Sequence, residues 1–190
     1  MPAHVPIILA SASPRRQELL RSAGVALEVC AADIPEVPHP GELPLEFAER
    51  MAREKAHVIQ RSFPDRVILA ADTVVAVGSE ILGKPTDAED ASHMLHLLSG
   101  RSHEVTTGVC VLGNDFEDVR SETTRVEFSA ISENAISEYV ETREPMDKAG
   151  AYAIQGGAGK WVKRIQGDYN NVVGLPLDVV LRMLREHDAF

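Results

Sequence analysis

The sequence predicts a single α/β domain spanning residues 1–190. Short apolar runs that read as strands alternate with amphipathic segments that read as helices, and no repeat, heptad series or low-complexity tract marks a second domain. With 44% hydrophobic and 25% charged residues, the 190-residue chain has the make-up of a soluble domain able to bury a full core. The net charge of −10 argues against general binding to nucleic acid or an anionic membrane, both of which need an extended basic surface. A small phosphorylated partner needs only a local cluster of Lys and Arg. The amino terminus lacks a basic stretch followed by a long apolar one, and no apolar run approaches the roughly 18 residues of a membrane helix, so the expected location is the cytoplasm.

Val5 to Ala10 reads as the first strand and Pro14 to about Ala23 as the first helix, with Leu19, Leu20 and Ala23 as its buried stripe and Gly24 as its stop. Ala26 to Ala31 is the second strand. Asp33 to Pro44 contains Pro35, Pro38, Pro40 and Pro44, which predicts an irregular loop. Leu45 to Arg61 is a helix whose apolar face is approximated by Phe47, Met51, Val58 and Ile59, with Lys55 on or near that face. Arg66 to Val77 is a strongly apolar strand, turning at Gly78-Ser79 into Glu80 to Leu82. Thr86-Asp87-Ala88-Glu89 reads as a capping box opening a helix to Leu98. His103 to Leu112 and Glu117 to Ser129 form a second hairpin. A helix from Ser132 to Thr142, a glycine-rich stretch from Gly150 to Gly167 and a helix after Pro176 complete the chain.

Several residues stand out chemically. In Ser11-Ala12-Ser13-Pro14-Arg15-Arg16, a strand leads into a helix whose N-cap is Ser13, yet the first turn carries arginines where the helix dipole favours carboxylates. Either an anion binds there, gathering helix N–H groups, hydroxyls and guanidiniums, or this is a capped surface helix with two solvated arginines. Asp72 lies alone in the apolar run Val67 to Val77. Burying an unpartnered carboxylate costs several kcal/mol, so Asp72 should be paired, metal-bound, facing a cleft or bonded to a turn at a strand end. Strand alternation puts it on the face of Ala70 and Val74, opposite Thr73. Lys84, held extended before Pro85, either projects toward Asp72 or is a solvated loop lysine. Glu36 is a second candidate carboxylate, or simply a loop acid.

Other patterns carry less. Gly156-Gly157-Ala158-Gly159-Lys160 fails as a P-loop, because Ile154 and Trp161 stand where Gly and Ser or Thr are needed. His93 and His96 share a helix face but have no recognisable third metal ligand. Cys30 and Cys110 read as reduced core residues.

Taken in order, Leu9 to Leu20, Ala52-Arg53-Glu54-Lys55-Ala56, Ala71-Asp72-Thr73-Val74-Val75, Ile81 to Pro85, Leu98-Ser99-Gly100-Arg101, His103 to Val109, Asp147 to Tyr152, Ile154-Gln155-Gly156 and Gly167 to Pro176 give the chain a resemblance to the Maf family of nucleoside triphosphate pyrophosphatases. The resemblance covers nearly the whole sequence. It implies the architecture of inosine triphosphate pyrophosphatases (the Maf/Ham1 type): an elongated mixed sheet flanked by helices, with a deep nucleotide cleft. It implies hydrolysis of a nucleoside triphosphate to the monophosphate and pyrophosphate, assisted by a divalent cation, Mg2+ or Mn2+. Asp72 would then accept the proton of the attacking water and Glu36 would help it hold metal and water. Lys84, Lys55 and Arg16 would be phosphate ligands, and Ser11 and Ser13 would line the same site.

The family's branches differ at the positions of Arg15, Thr73 and Gln155, and this combination matches the branch acting on dTTP and UTP. Gln155 offers both a donor and an acceptor to a pyrimidine's carbonyl and N3–H edge, which a carboxylate would not. Pro35 departs from the family, which often has an acid there, so the loop brings one carboxylate fewer. A homodimer would fit the resemblance. The alternative from another class is a nucleotide-binding regulator of cell division that does not hydrolyse its ligand.

Overall fold

The computed structural model describes residues 5–190. The expectation about the amino-terminal segment, like the first positions of the span 1–190, falls on residues 1–4 and lies outside the described residues. The described chain forms a mixed sheet with the strand order β2-β1-β3-β5-β6-β7, with β4 paired to β3. These strands are β1 (Ile7–Leu9), β2 (Leu27–Val29), β3 (Ile68–Val77), β4 (Glu80–Leu82), β5 (Ser102–Leu112), β6 (Glu117–Phe128) and β7 (Val162–Gln166). The helices are α1 (Pro14–Ser22), α2 (Pro44–Gln60), α3 (Ala88–Leu98), α4 (Glu133–Glu141), α5 (Tyr169–Val173) and α6 (Leu177–Glu186). The chain folds as two compact units. One comprises the chain up to Asp72 with Thr107–Glu122 and Gly174–Phe190; the other comprises Thr73–Thr106 and Thr123–Val173.

In the first unit β1 runs parallel to both β2 and β3, with Ile7 opposite Leu27 and Ile8 opposite Ile68. The two-residue periodicity of a strand sorts its apolar residues into two layers. Ile7, Leu9, Leu69, Ala71, Val109 and Val111 pack with Leu20 of α1 and Val180, Met183 and Leu184 of α6. Ile8, Ala10, Ile68, Ala70, Cys110 and Leu112 pack on the other face with Ala52, Ala56 and Ile59 of α2. Each fully buried Leu or Ile contributes roughly 1.5–3 kcal/mol. Small residues bring α2 very close to the sheet. A Cβ at Gly108 would lie only 2.3 Å from the Ala48 carbonyl oxygen, so only glycine permits that approach.

The second unit contains the β3–β4 hairpin, with Val75 opposite Leu82 and Val77 opposite Glu80, closed by Gly78-Ser79 with Gly78 at a φ of 61°. This is the left-handed conformation such a two-residue turn demands. Here α3 packs on α4. His103, Phe128, Tyr152, Trp161 and Tyr139 form a chain of edge-to-face rings with centroids 4.8–6.3 Å apart.

Several sequence expectations need correction. The first two strands are shorter than Val5–Ala10 and Ala26–Ala31, although Ala10 still donates to the Leu69 carbonyl. The buried side of α1 is Arg16 and Leu20, with Leu19 and Ala23 half-buried. On α2 the buried set adds Ala48, Ala52, Lys55 and Ala56, while Val58 is only half-buried. The N-cap of α3 is Asp87, whose carboxylate accepts the Asp90 N–H, and Thr86 lies just before it. The glycine-rich stretch contains 3₁₀ turns at Ala149–Ala151 and Gly157–Trp161 and the unanticipated strand β7; α5 was also unanticipated.

Candidate active site

The first unit gathers Ser11, Arg16, Glu36, Lys55 and Asp72. The apolar layer explains how. Asp72 follows Ile68 and Ala70 on the β3 face covered by α2, and Lys55 lies on α2 beside Ala52 and Ala56, which pack on that face. Lys55 Nζ therefore lies 2.6 Å from Asp72 Oδ1 and 2.6 Å from Glu36 Oε1. Lys55 and Asp72 are 7% and 6% exposed, so the ammonium is the counter-ion that makes a carboxylate tolerable inside this strand. Glu36, on the proline-rich loop, is exposed and reaches the pair from the solvent side.

Arg16 is not the solvated arginine that a plain capped helix would display. It is 8% exposed, its Nε donates to the Gly174 carbonyl at 2.7 Å, and its Nη1 donates to the Ala71 carbonyl at 2.8 Å and to Ser11 Oγ at 3.1 Å. The guanidinium thus braces the backbone one residue before Asp72. Burial lowers its pKa, while the negative charges of Asp72 and Glu36 act in the opposite sense and neighbouring Arg15 adds to the lowering. Ser13 occupies the N-cap position of α1 without a side-chain capping bond, and its N–H donates to Ser11 Oγ at 3.2 Å. Arg15 is half-buried, and its shielded Nε has no hydrogen-bond partner. A donor held out of water without an acceptor costs about 1–3 kcal/mol, which an incoming acceptor would recover.

The remaining candidates belong to the second unit. Thr73 follows Asp72 on β3 and is half-buried. Lys84 is exposed between β4 and α3, where the preceding Gly83 carbonyl accepts the Gly150 N–H at 3.1 Å. Gln155 is exposed in a turn closed by the Gly156 N–H donating to the Ala153 carbonyl at 3.1 Å. Sequence reasoning missed Tyr139 and Glu144, which bond the backbone of that turn. The only sequence sign of it was the pair Gly156-Gly157, and the tyrosine and acid lie well upstream.

Among the described residues no cluster of three or more His, Cys, Asp or Glu side chains forms a ready-made metal cage. The donors still fit a hard divalent cation. Glu36 and Asp72 direct carboxylate oxygens at one shared positive charge, and Mg2+ is commonly held by one or two carboxylates plus substrate phosphates and water. His96 is no ligand: its Nδ1 contacts the Ser92 carbonyl and its Nε2 contacts Glu133, and the first of these bonds is the larger cause of its raised pKa. Burial pushes the Cys110 thiol up to about 12, as suits a reduced core residue, while Cys30 is half-buried. No helix among the described residues is long and apolar enough to cross a membrane.

A "dTTP/UTP pyrophosphatase" of Geobacter sulfurreducens is 54% identical over 185 residues, covering 96% of this chain and 97% of its own length. One of Koribacter versatilis is 51% identical over 179 residues (94% and 93%), and one of Geobacter metallireducens is 49% identical over 191 residues, covering both chains in full. The solved structure of the Staphylococcus aureus Ham1 protein superposes with a TM-score of 0.51 at 14% identity, covering 94% of this chain and all of that one. It supports the α/β architecture expected above. The family model described as Maf-like protein matches residues 6–187, and the chain belongs to the Maf family.

Proposed function

We propose that this protein hydrolyses dTTP and UTP to the monophosphate and pyrophosphate. The observation that carries the reading is the buried Asp72 carboxylate, held in an apolar strand by Lys55 and backed by Glu36. Water attacks the α-phosphorus, the bond to the bridging oxygen breaks, pyrophosphate leaves with the bond's electron pair, and Asp72 takes the water's proton. As negative charge builds on the departing pyrophosphate, Lys55, Lys84 and Arg16 offset it. They favour the reaction to the extent that they bind the transition state more strongly than the substrate. Ser11 and Ser13 offer hydroxyls to the phosphates. Arg16 acts from a fixed position, because its bonds to Ala71 and Gly174 leave the guanidinium little freedom.

Glu36 and Asp72 are the residues that would hold a divalent cation. When bound, such an ion adds positive charge at the phosphates. Arg15, with its unpartnered Nε, Thr73 and Gln155 are assigned to the nucleoside, Gln155 meeting the pyrimidine edge. A nucleotide as the small-molecule partner, a cytoplasmic location and a homodimer complete the proposal.

Purified protein supplied with Mg2+ or Mn2+ is expected to release pyrophosphate from dTTP and UTP. Asp72→Asn should lower turnover by about 100-fold or more, within the span ascribed to a general base, while leaving the circular dichroism spectrum unchanged. Wild-type turnover in that variant would remove Asp72 as the base. Tight dTTP binding without hydrolysis under either metal would instead make the chain a non-hydrolytic nucleotide-binding regulator.

A further inference from the structure

At the end of α4 the chain reverses abruptly. Arg143 adopts a φ of 62°, the Thr142 hydroxyl donates to the Tyr139 carbonyl at 2.6 Å, and the Glu144 N–H donates to that hydroxyl at 3.2 Å. This reversal returns the Glu144 carboxylate to the Tyr139 side chain, whose hydroxyl donates to Glu144 Oε1 at 2.8 Å. Tyr139 is 4% exposed, and its ring stands edge-on to Trp161 with centroids 5.1 Å apart. The pair is therefore anchored in the aromatic core of its unit.

Further hydrogen bonds of the pair go to the turn around Gln155. The Ala153 N–H donates to Tyr139 Oη at 3.3 Å, and the Gly157 N–H is shared between Glu144 Oε1 at 3.1 Å and Oε2 at 3.3 Å. These donors lie two residues before and two residues after Gln155. Between them Gly156 is pressed against the carboxylate so closely that a Cβ there would lie 1.8 Å from Glu144 Oε1. Gln155 thus has an exposed side chain on a backbone fastened at both ends. An exposed amide on a free turn would lose much of any selectivity to the entropy of orienting it, and fastening the turn removes part of that cost.

We infer that Tyr139 and Glu144 are positioning residues for nucleobase selection, holding the turn so that the Gln155 amide is presented to the pyrimidine edge. The inference rests on the reading that Gln155 meets the base. Neither residue touches the reacting atoms, so their loss should raise KM for UTP more than it lowers kcat.

The test is a double-mutant cycle read as the ratio of kcat/KM for UTP to that for GTP. Gln155→Ala is expected to lower this ratio about tenfold, and Tyr139→Phe and Glu144→Ala about three- to tenfold each, whereas in the Gln155→Ala background the latter two should lower it no further. Glu144→Gln keeps an oxygen acceptor for the Gly157 N–H and should recover most of the ratio. Tyr139→Phe keeps the ring against Trp161, so folding is preserved for the measurement. If Gln155→Ala changes the ratio but Tyr139→Phe and Glu144→Ala do not, or if their effects persist without Gln155, the positioning role is overturned while the base-edge reading stands. An unchanged ratio in Gln155→Ala overturns the base-edge reading and the inference with it.

Discussion

The two units bury polarity in opposite ways. In the unit that contains Asp72 the buried polar side chains include the ions Arg16, Lys55 and Asp72, with Glu36 reaching Lys55 from a loop. In the other unit the buried polar groups are neutral: His103 on the Tyr152 hydroxyl at 2.8 Å, Thr106, and Thr124 bonded to Asn171 at 3.0 Å. Buried ions are expensive and are retained where charge has work to do, whereas neutral hydrogen-bonded groups fix geometry at much lower cost. Of the residues proposed for the phosphates, Arg16, Lys55 and Asp72 lie in the ionic unit and Lys84 in the neutral one, which also carries the Gln155 turn proposed for the base.

Lys55→Met breaks the charged side of the contrast and should have the largest effect. Without the ammonium, Asp72 is left buried beside Glu36 with its counter-ion gone, and removing one partner of a buried pair costs about 3–5 kcal/mol. Urea unfolding of Lys55→Met should show that loss. The double variant Lys55→Met/Asp72→Asn, which removes both ions, should recover most of it. If Lys55→Met alone is as stable as wild type, the Lys55 ammonium is not the structural counter-ion of Asp72.

His103 tests the neutral side. Burial lowers its pKa to about 4, and its Nδ1 is shielded without a hydrogen-bond partner. An unfolded histidine titrates near 6.5, so between that pH and about 4 the unfolded chain binds a proton that the folded one refuses. The contribution of neutral His103 is therefore fully present above pH 6.5 and is lost as pH falls toward 4, about 3 kcal/mol in all. Unfolding free energies measured at pH 7.5 and 4.5 should converge in His103→Gln relative to wild type by an amount of that order. An identical pH dependence in the two proteins would mean that His103 is hydrated in the native state.

Much of this was legible in the sequence wherever a local rule decided the outcome. Gly78-Ser79 set a hairpin, and a lone Asp in Val67 to Val77 signalled a carboxylate that must be compensated. The partner was not legible, because Lys55 reaches Asp72 only when α2 lies flat on β3, and small residues such as Ala52, Ala56 and Gly108 allow that approach. Strand β7 escaped notice because Val162-Lys163-Arg164-Ile165-Gln166 lies at the end of the strand order, where charges are favoured and apolar alternation is weak. Arg16 was misleading in one of its two readings. Its burial depends on the carbonyls of Ala71 and Gly174, which are remote in sequence.

Gln155→Glu leaves both kinds of burial intact and should therefore have the smallest and most selective effect. The side chain is exposed, so stability should stay within about 0.5 kcal/mol of wild type. Recognition should not be spared, since replacing the amide's donor by a second carboxylate oxygen sets acceptor against acceptor at a pyrimidine carbonyl. A fall of about tenfold in kcat/KM for dTTP and UTP, some 1.4 kcal/mol, is expected with an unshifted melting temperature. That outcome would separate recognition from the buried charge to which hydrolysis is assigned. Unaltered dTTP and UTP kinetics would show that the exposed turn does not read the base, and the selectivity would then have to come from Arg15 and Thr73.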